Sequence, residues 1–275
     1  MIPASFDYER AASVEAAIGL LSERGEDAKL LAGGHSLLPL MRLRMATPGL
    51  IVDLGGIREL SYVRQSGDDL VIGALTRHCD LAANELARAE TPLLAHVAGQ
   101  IGDPQVRHRG TIGGSLAHGD PASDLPAACL ALGASFLVAG PGGERRIPAV
   151  EFFRGFLETA LRPDEVLVEI SVPRHPGAGW SFQKFTRRAQ DWAIVGVAAV
   201  ADGSTRIGLV NMGSTPLRAT GAEEALAGGA STEEAAARAA DGLEPPSDLN
   251  ASPEYRRHLA SVLTRRALEE CAAVT

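Results

Sequence analysis

The sequence predicts an α+β chain of two units, and three observations carry that reading. Helical and strand-like apolar runs alternate through the first stretch, to about position 55. Pairs of apolar runs then flank short polar turns, as in β-hairpins. Beyond "RHPGAG", three extended apolar runs are followed only by helical ones, the segregation of strands and helices typical of α+β chains.

Ser13 is placed to cap a helix whose apolar positions Val14, Ala17, Ile18 and Leu21 share one face, and Gly25 ends it. A strand at Ala28–Leu31 runs into a glycine pair. "SLLPLMRLRMATP" continues as a short helix until Pro48, and "LIVDL" is a buried strand. "LSYVRQSGDDLVIGAL" reads as a hairpin. "TPLLAHVAGQIG" reads as a helix with Thr91 as cap and Pro92 at its first position. After "VRHRGTIGGSLAHGDPASDLP", Ser123 caps "DLPAACLALG", "ASFLVAGPGGERRIPA" is a second hairpin, and the strand "EVLVEISVP" closes at Pro173.

"RHPGAG" is the expected linker. The strands "WSFQKFTRR", "WAIVGVAAVA" and "TRIGLVNMGST" follow, then helices in "TGAEEALAG", "STEEAAARAADG" and "SPEYRRHLASVLTRRALEECAAV". The expected division is residues 1–174, in subdomains of about 1–55 and 56–174, and residues 177–275.

A length of 275 residues suffices for two buried cores, and a formal charge of −8 with scattered Arg pairs offers no basic field for nucleic acid. The start has no basic region leading an apolar core, and no apolar run reaches transmembrane length, so a cytoplasmic chain is expected. Cys79, Cys129 and Cys271 stand far apart without Cys-x-x-Cys spacing. They read as small apolar residues, and an iron–sulfur cluster cannot be built from this chain alone.

The chemistry-bearing stretches are "LLAGGHSLLP" and "GTIGGS". Neither is a P-loop or a Gly-x-Gly-x-x-Gly turn. Glycine pairs free backbone N–H groups to face an anion, so a phosphate would be held by the amides of Gly33, Gly34, Gly113 and Gly114, with the hydroxyls of Ser36, Thr111 and Ser115. Two such loops, closing from two sides, suit a pyrophosphate. Asp124 reads either as a carboxylate facing a helix dipole or as a ligand-binding group. Lys184, one of two lysines in the chain, reads either as an exposed edge residue or as a functional cation between Phe182 and Phe185. His35, His108 and His118 lie near the loops but have no metal-ligand spacing. No nucleophile triad or carboxylate pair is set up, so no catalytic and no metal residue is expected.

"AGGHSLLPLMRLR", "GALTRH", "VRHRGTIGGSLAHGDPASDLP", "DEVLVEISVP" and "FQKFTRRAQDWAIVGVA" occur in the order and spacing of the FAD-binding medium subunits of the molybdenum hydroxylases, which the chain resembles over nearly its full length. Within that family the likeness runs closest to the aerobic carbon monoxide dehydrogenase branch. The resemblance implies a two-subdomain FAD-binding domain of PCMH (vanillyl-alcohol-oxidase-like) type, followed by a three-stranded antiparallel sheet with helices.

It also implies that Ala32, Gly33, Gly34, His35 and Ser36, and Thr111, Ile112, Gly113, Gly114 and Ser115, wrap the FAD pyrophosphate. Asp124 hydrogen-bonds the cofactor, Ile101 and Leu167 lie near the flavin, and Lys184 stands near its N1–C2=O edge. Trp192 occupies a position where relatives commonly place tyrosine near the ring. The implied partners are a large molybdenum-cofactor subunit and a small [2Fe–2S] subunit, in a heterohexamer formed as a dimer of heterotrimers. An external electron acceptor completes the set, and the complex is expected in the cytoplasm, peripheral to the inner face of the membrane. Alternatives are a medium subunit serving an N-heterocycle, purine or aldehyde hydroxylase, a stand-alone flavin oxidase, and a redox-silent ADP-binding module.

Overall fold

A computed structural model describes residues 2–274. Ser13 caps the Val14–Arg24 helix by accepting from the Ala16 N–H at 3.1 Å, and Gly25 turns the chain away at φ +55°. The strand Ala28–Leu31 pairs in parallel with Leu50–Asp53. A third strand, Asp7–Arg10, joins the other side of Leu50–Asp53, so the first subdomain is a three-stranded parallel sheet with a helix on it. The helix after the first glycine pair spans only Leu37–Arg42, because Arg44 turns left-handed at φ +59° before Pro48 is reached.

Both expected hairpins form. Val63–Ser66 pairs with Asp69–Gly73, and Ser135–Gly140 with Gly143–Pro148. The strand Val166–Pro173 runs between them as the centre of a five-stranded antiparallel sheet. It is buried almost throughout because both faces are covered. Val166 and Val168 share one core with Leu21 and Val52 of the first subdomain. Leu167, Ile170 and Val172 face the helices Pro92–Gly99, Ile112–His118 and Asp124–Ala131.

Every residue of the Asp124–Ala131 helix is buried, as expected of a helix enclosed on all sides. One side of it lies on the last sheet, where Gly208 permits the contact: a Cβ there would fall 2.0 Å from Ala127 O. The three expected strands Gly179–Thr186, Ala193–Asp202 and Ser204–Val210 form that antiparallel sheet, and the two-residue strand Leu217–Arg218 extends its edge. Its faces alternate with period two. Ala198, Val200 and Val210 join the core of the central helix, while Val195, Val197 and Ala199 face the Pro253–Val274 helix and Ile207 and Leu209 share that second core beside the Thr220–Ala227 helix.

Two local expectations are corrected. Thr91 and Ser123 stand at helix starts, but neither hydroxyl caps its helix; Thr91 Oγ1 donates backwards to Ala87 O instead. The "RHPGAG" stretch is no free linker at its start. Arg174 pairs with Glu90 at 2.7 Å, and His175 is buried with Nδ1 2.8 Å from Asp202 Oδ2.

Candidate functional site

A cleft of about 570 Å³ opens where the first subdomain, the second glycine stretch and the last sheet converge. Its wall contains every site residue expected from sequence except Ile112. That side chain is fully buried in the core, and its N–H donates to Thr76 O at 3.0 Å, so Ile112 supports the wall without lining it.

The glycines divide the work differently from the expectation. None of the N–H groups of Ala32, Gly33, Gly34, His35 and Ser36 donates within the chain, among the described residues. Gly34 sits at φ +79°, the left-handed region that glycine enters freely. In the second stretch the amides are already engaged. Gly113 N–H donates to Ala74 O at 2.9 Å, and Gly114 N–H to Thr111 Oγ1 at 3.1 Å. These two bonds fix the start of the Ile112–His118 helix, so the Gly113 and Gly114 amides are engaged within the chain while those of the first loop are not.

Gly33 and Gly113 are close-packing glycines. A Cβ on Gly33 would stand 2.3 Å from Arg109 O, and one on Gly113 would stand 2.5 Å from Ala74 Cβ. The two stretches therefore touch and form one continuous wall, with the hydroxyls of Ser36, Thr111 and Ser115 beside it. The Thr111 hydroxyl accepts from Gly114 and keeps its own proton for donation.

Across the cleft, Lys184 Nζ lies 2.6 Å from Asp124 Oδ2 and 3.2 Å from Gln100 O. Lys184 is thus no exposed edge lysine, its side chain being only 12% exposed. Burial pushes the Asp124 carboxyl up from its ordinary pKa, and the Lys184 ammonium opposes that shift. Asp124 Oδ1 is sealed from solvent and has no partner, an unusual state for a buried carboxylate oxygen. Ile101, Leu161 and Leu167 add apolar wall. Trp192 is 58% exposed at the rim, which excludes a core role, and it also borders a second cavity of about 650 Å³ beside Phe156 and Arg256.

Two lining residues, His78 and Glu165, and one residue behind the wall, Gln100, escaped the sequence reading. His78 is buried behind Gly110, Glu165 is held by Arg145 at 2.7 Å, and Gln100 offers its carbonyl to Lys184. "GALTRH" contained the one available signal, a histidine closing an apolar strand. Among the described residues no group of three His, Cys, Asp or Glu could hold a metal ion. Among the described residues no helix is long and apolar enough to cross a membrane.

A row of ungated amides, a buried carboxylate oxygen awaiting a donor, and an adjoining apolar wall fit a flavin dinucleotide: diphosphate to the amides, a polar N–H or O–H to Asp124 Oδ1, ring to the leucines. The fold and cleft define a dinucleotide-binding flavoprotein. Residues 4–175 match the family described as the FAD binding domain in molybdopterin dehydrogenase, and residues 180–271 match the CO dehydrogenase flavoprotein C-terminal domain. The chain is 46% identical to the carbon monoxide dehydrogenase medium chain of Hydrogenophaga pseudoflava, over 98% of this chain and 97% of that one. It is 40% identical to the 6-hydroxypseudooxynicotine dehydrogenase complex subunit alpha of Paenarthrobacter nicotinovorans, over 98% and 95%. A solved carbon monoxide dehydrogenase from Hydrogenophaga pseudoflava superposes with a TM-score of 0.95 at 46% identity, covering 100% of this chain and 99% of that chain. The chain belongs to the FAD-binding molybdopterin dehydrogenase family, and its cofactor is FAD.

Proposed function

We propose that this chain is the FAD-carrying electron-transfer subunit of an aerobic carbon monoxide dehydrogenase. It takes electrons from the [2Fe–2S] clusters of a small subunit and passes them to an external acceptor, while a large molybdenum-cofactor subunit oxidises the substrate. One observation carries the reading: unengaged loop amides and the orphan Asp124 Oδ1 share one cleft in a chain similar from end to end to a carbon monoxide dehydrogenase medium chain.

Bound FAD supplies one-electron and two-electron transfer, which joins single-electron clusters to either kind of acceptor. The residues around it bind, orient and exclude water. Amides of Ala32–Ser36 take the diphosphate, with the Thr111 and Ser115 hydroxyls alongside, and Gly113 and Gly114 hold the second stretch in register. Asp124 accepts a cofactor hydrogen bond, and Lys184 keeps a positive charge beside it. Ile101 and Leu167 keep water from the ring, and Trp192 covers its open side. The role asks for no proton-abstracting residue.

The division at residues 174–177 is supported by family matches that end at 175 and resume at 180. The assembly we favour is a cytoplasmic dimer of heterotrimers. Substrate choice belongs to the large subunit, so a relative named for a hydroxylated nicotine derivative is compatible with the same medium-subunit design. The test is anaerobic addition of carbon monoxide to the chain purified with its two companions. Bleaching of the visible flavin band is expected. A band bleached by an aldehyde, purine or N-heterocycle and not by carbon monoxide overturns the substrate branch, and absence of any flavin overturns the carrier role.

A further inference from the structure

We propose that His78 anchors the cofactor diphosphate and gains a proton as the cofactor seats. The inference rests on the FAD reading above and adds a residue and a linkage to it. His78 opens the His78–Ala83 helix directly after the Arg77–Thr111 bridge, and its N–H donates to Gly110 O at 3.0 Å. The ring fills the space behind Gly110: a Cβ on that glycine would stand 2.8 Å from both Cδ2 and Nε2. Gly110 Cα would in turn stand 2.8 Å from a Cβ on Gly33. His78 thus backs the point where the two glycine stretches meet, and it lines the cleft.

Its state is unusual for a structural histidine. The residue is 4% exposed, and Nδ1 is sealed without a hydrogen-bond partner. An unmet lone pair is cheaper to bury than an unmet N–H, which assigns the ring proton to Nε2. The groups that bear on the ring electrostatically are His35 from the first loop and Arg107 from the Pro104–Arg109 helix, both able to carry positive charge. Burial first, and those two neighbours second, lower its pKa to about 4, so the ring is neutral at pH 7.

A diphosphate brought to the adjoining amides reverses that field. An anion within a few ångströms favours imidazolium: the proton is gained at Nδ1, the ring atom left without a partner, and the new Nδ1–H makes a charge-assisted bond to a phosphate oxygen. Protein and ligand then bind more tightly with one proton added, so affinity rises as pH falls. The chemistry recognised is the diphosphate, common to FAD and ADP and absent from riboflavin.

The test is titration calorimetry on the full-length flavin-free chain near pH 7, in two buffers of different ionisation enthalpy. Uptake of a substantial fraction of a proton is expected with FAD and with ADP, and none with riboflavin. His78→Gln, which keeps a donor and cannot charge, is expected to abolish the uptake and flatten the pH dependence of FAD affinity. His35→Gln is expected to keep both. Uptake that survives in His78→Gln, vanishes only in His35→Gln, or is absent in the parent chain overturns the proposal, whereas a parent chain that does not bind FAD overturns the cofactor reading itself. Should His78→Gln fail to fold, the imidazole nitrogen shifts of the parent chain with and without FAD read the same protonation: unchanged shifts count against it, a move to imidazolium for it.

Discussion

Lys184 Nζ and Asp124 Oδ2 stand 2.6 Å apart across 60 positions of sequence, tying the last sheet to the first turn of the buried central helix inside the cleft. Removing only the cation strands a carboxylate that is 5% exposed. Lys184→Met is expected to destabilise the flavin-free chain by about 3 kcal/mol in urea unfolding. Without its partner the Asp124 carboxyl is raised further, and a group with a raised folded pKa loses stability as pH rises, so the deficit deepens as pH rises above the ordinary carboxylate range. Adding Asp124→Leu should recover part of the loss. A deficit under about 1 kcal/mol, or one that shrinks with rising pH, contradicts the burial of the pair.

Gly33 tests the contact between the two glycine stretches. Gly33→Ala drives a methyl group against the Arg109 backbone, where a Cβ would stand 2.3 Å from the carbonyl oxygen. The expected loss is about 2 kcal/mol, with weaker FAD retention. Gly19→Ala is the control: this exposed helical position has open space around it, and a gain of about 0.5–1 kcal/mol is expected. Equal responses at the two sites would remove the packing role assigned to Gly33.

What could be read in advance follows from what is local. Ser13 and Gly25 mark a helix because capping and left-handed exit depend on single residue types, and both hairpins announce themselves by polar turns between apolar runs. Asp7–Arg10 gave no such sign, since all four side chains are exposed and charged or aromatic and only backbone pairing to Leu50–Asp53 makes it a strand. The glycine stretches were visible as stretches. Their separate duties were not, because Ala74 and Arg109, which decide them, lie far along the chain or across the fold. The resemblance placed Lys184 near the cofactor, and only the tertiary structure supplied Asp124 and Gln100 as its partners.

The bond of Arg145 to Glu165 makes an acid-side prediction. Hydrogen bonding from Arg145 holds the Glu165 carboxyl below its ordinary 4.5, and the N–H of Arg162 adds to the effect. A lowered carboxylate pKa gives stability that is present above 4.5 and fades as pH falls below it. Arg145→Met is expected to lose on the order of 1 kcal/mol at pH 7, allowing for screening at the half-open guanidinium, and less than half of that near pH 3. A pH-independent deficit would assign Arg145 a packing role only.

Trp192 stands at the rim with most of its indole exposed. If the ring of the flavin lies beneath it, as the proposed function holds, Trp192→Leu should raise flavin fluorescence several-fold by removing a stacked quencher. Flavin content should stay near that of the parent, since the amide loop is untouched. Unchanged fluorescence at full occupancy would move the flavin ring away from this residue.

The most direct measurement is a crystal structure of the full chain loaded with FAD. The account predicts a diphosphate oxygen about 2.7–3.2 Å from at least one backbone nitrogen of Gly33–Ser36, with Asp124 Oδ1 accepting from the cofactor. A diphosphate seated away from that loop, with those amides turned to solvent, would contradict it.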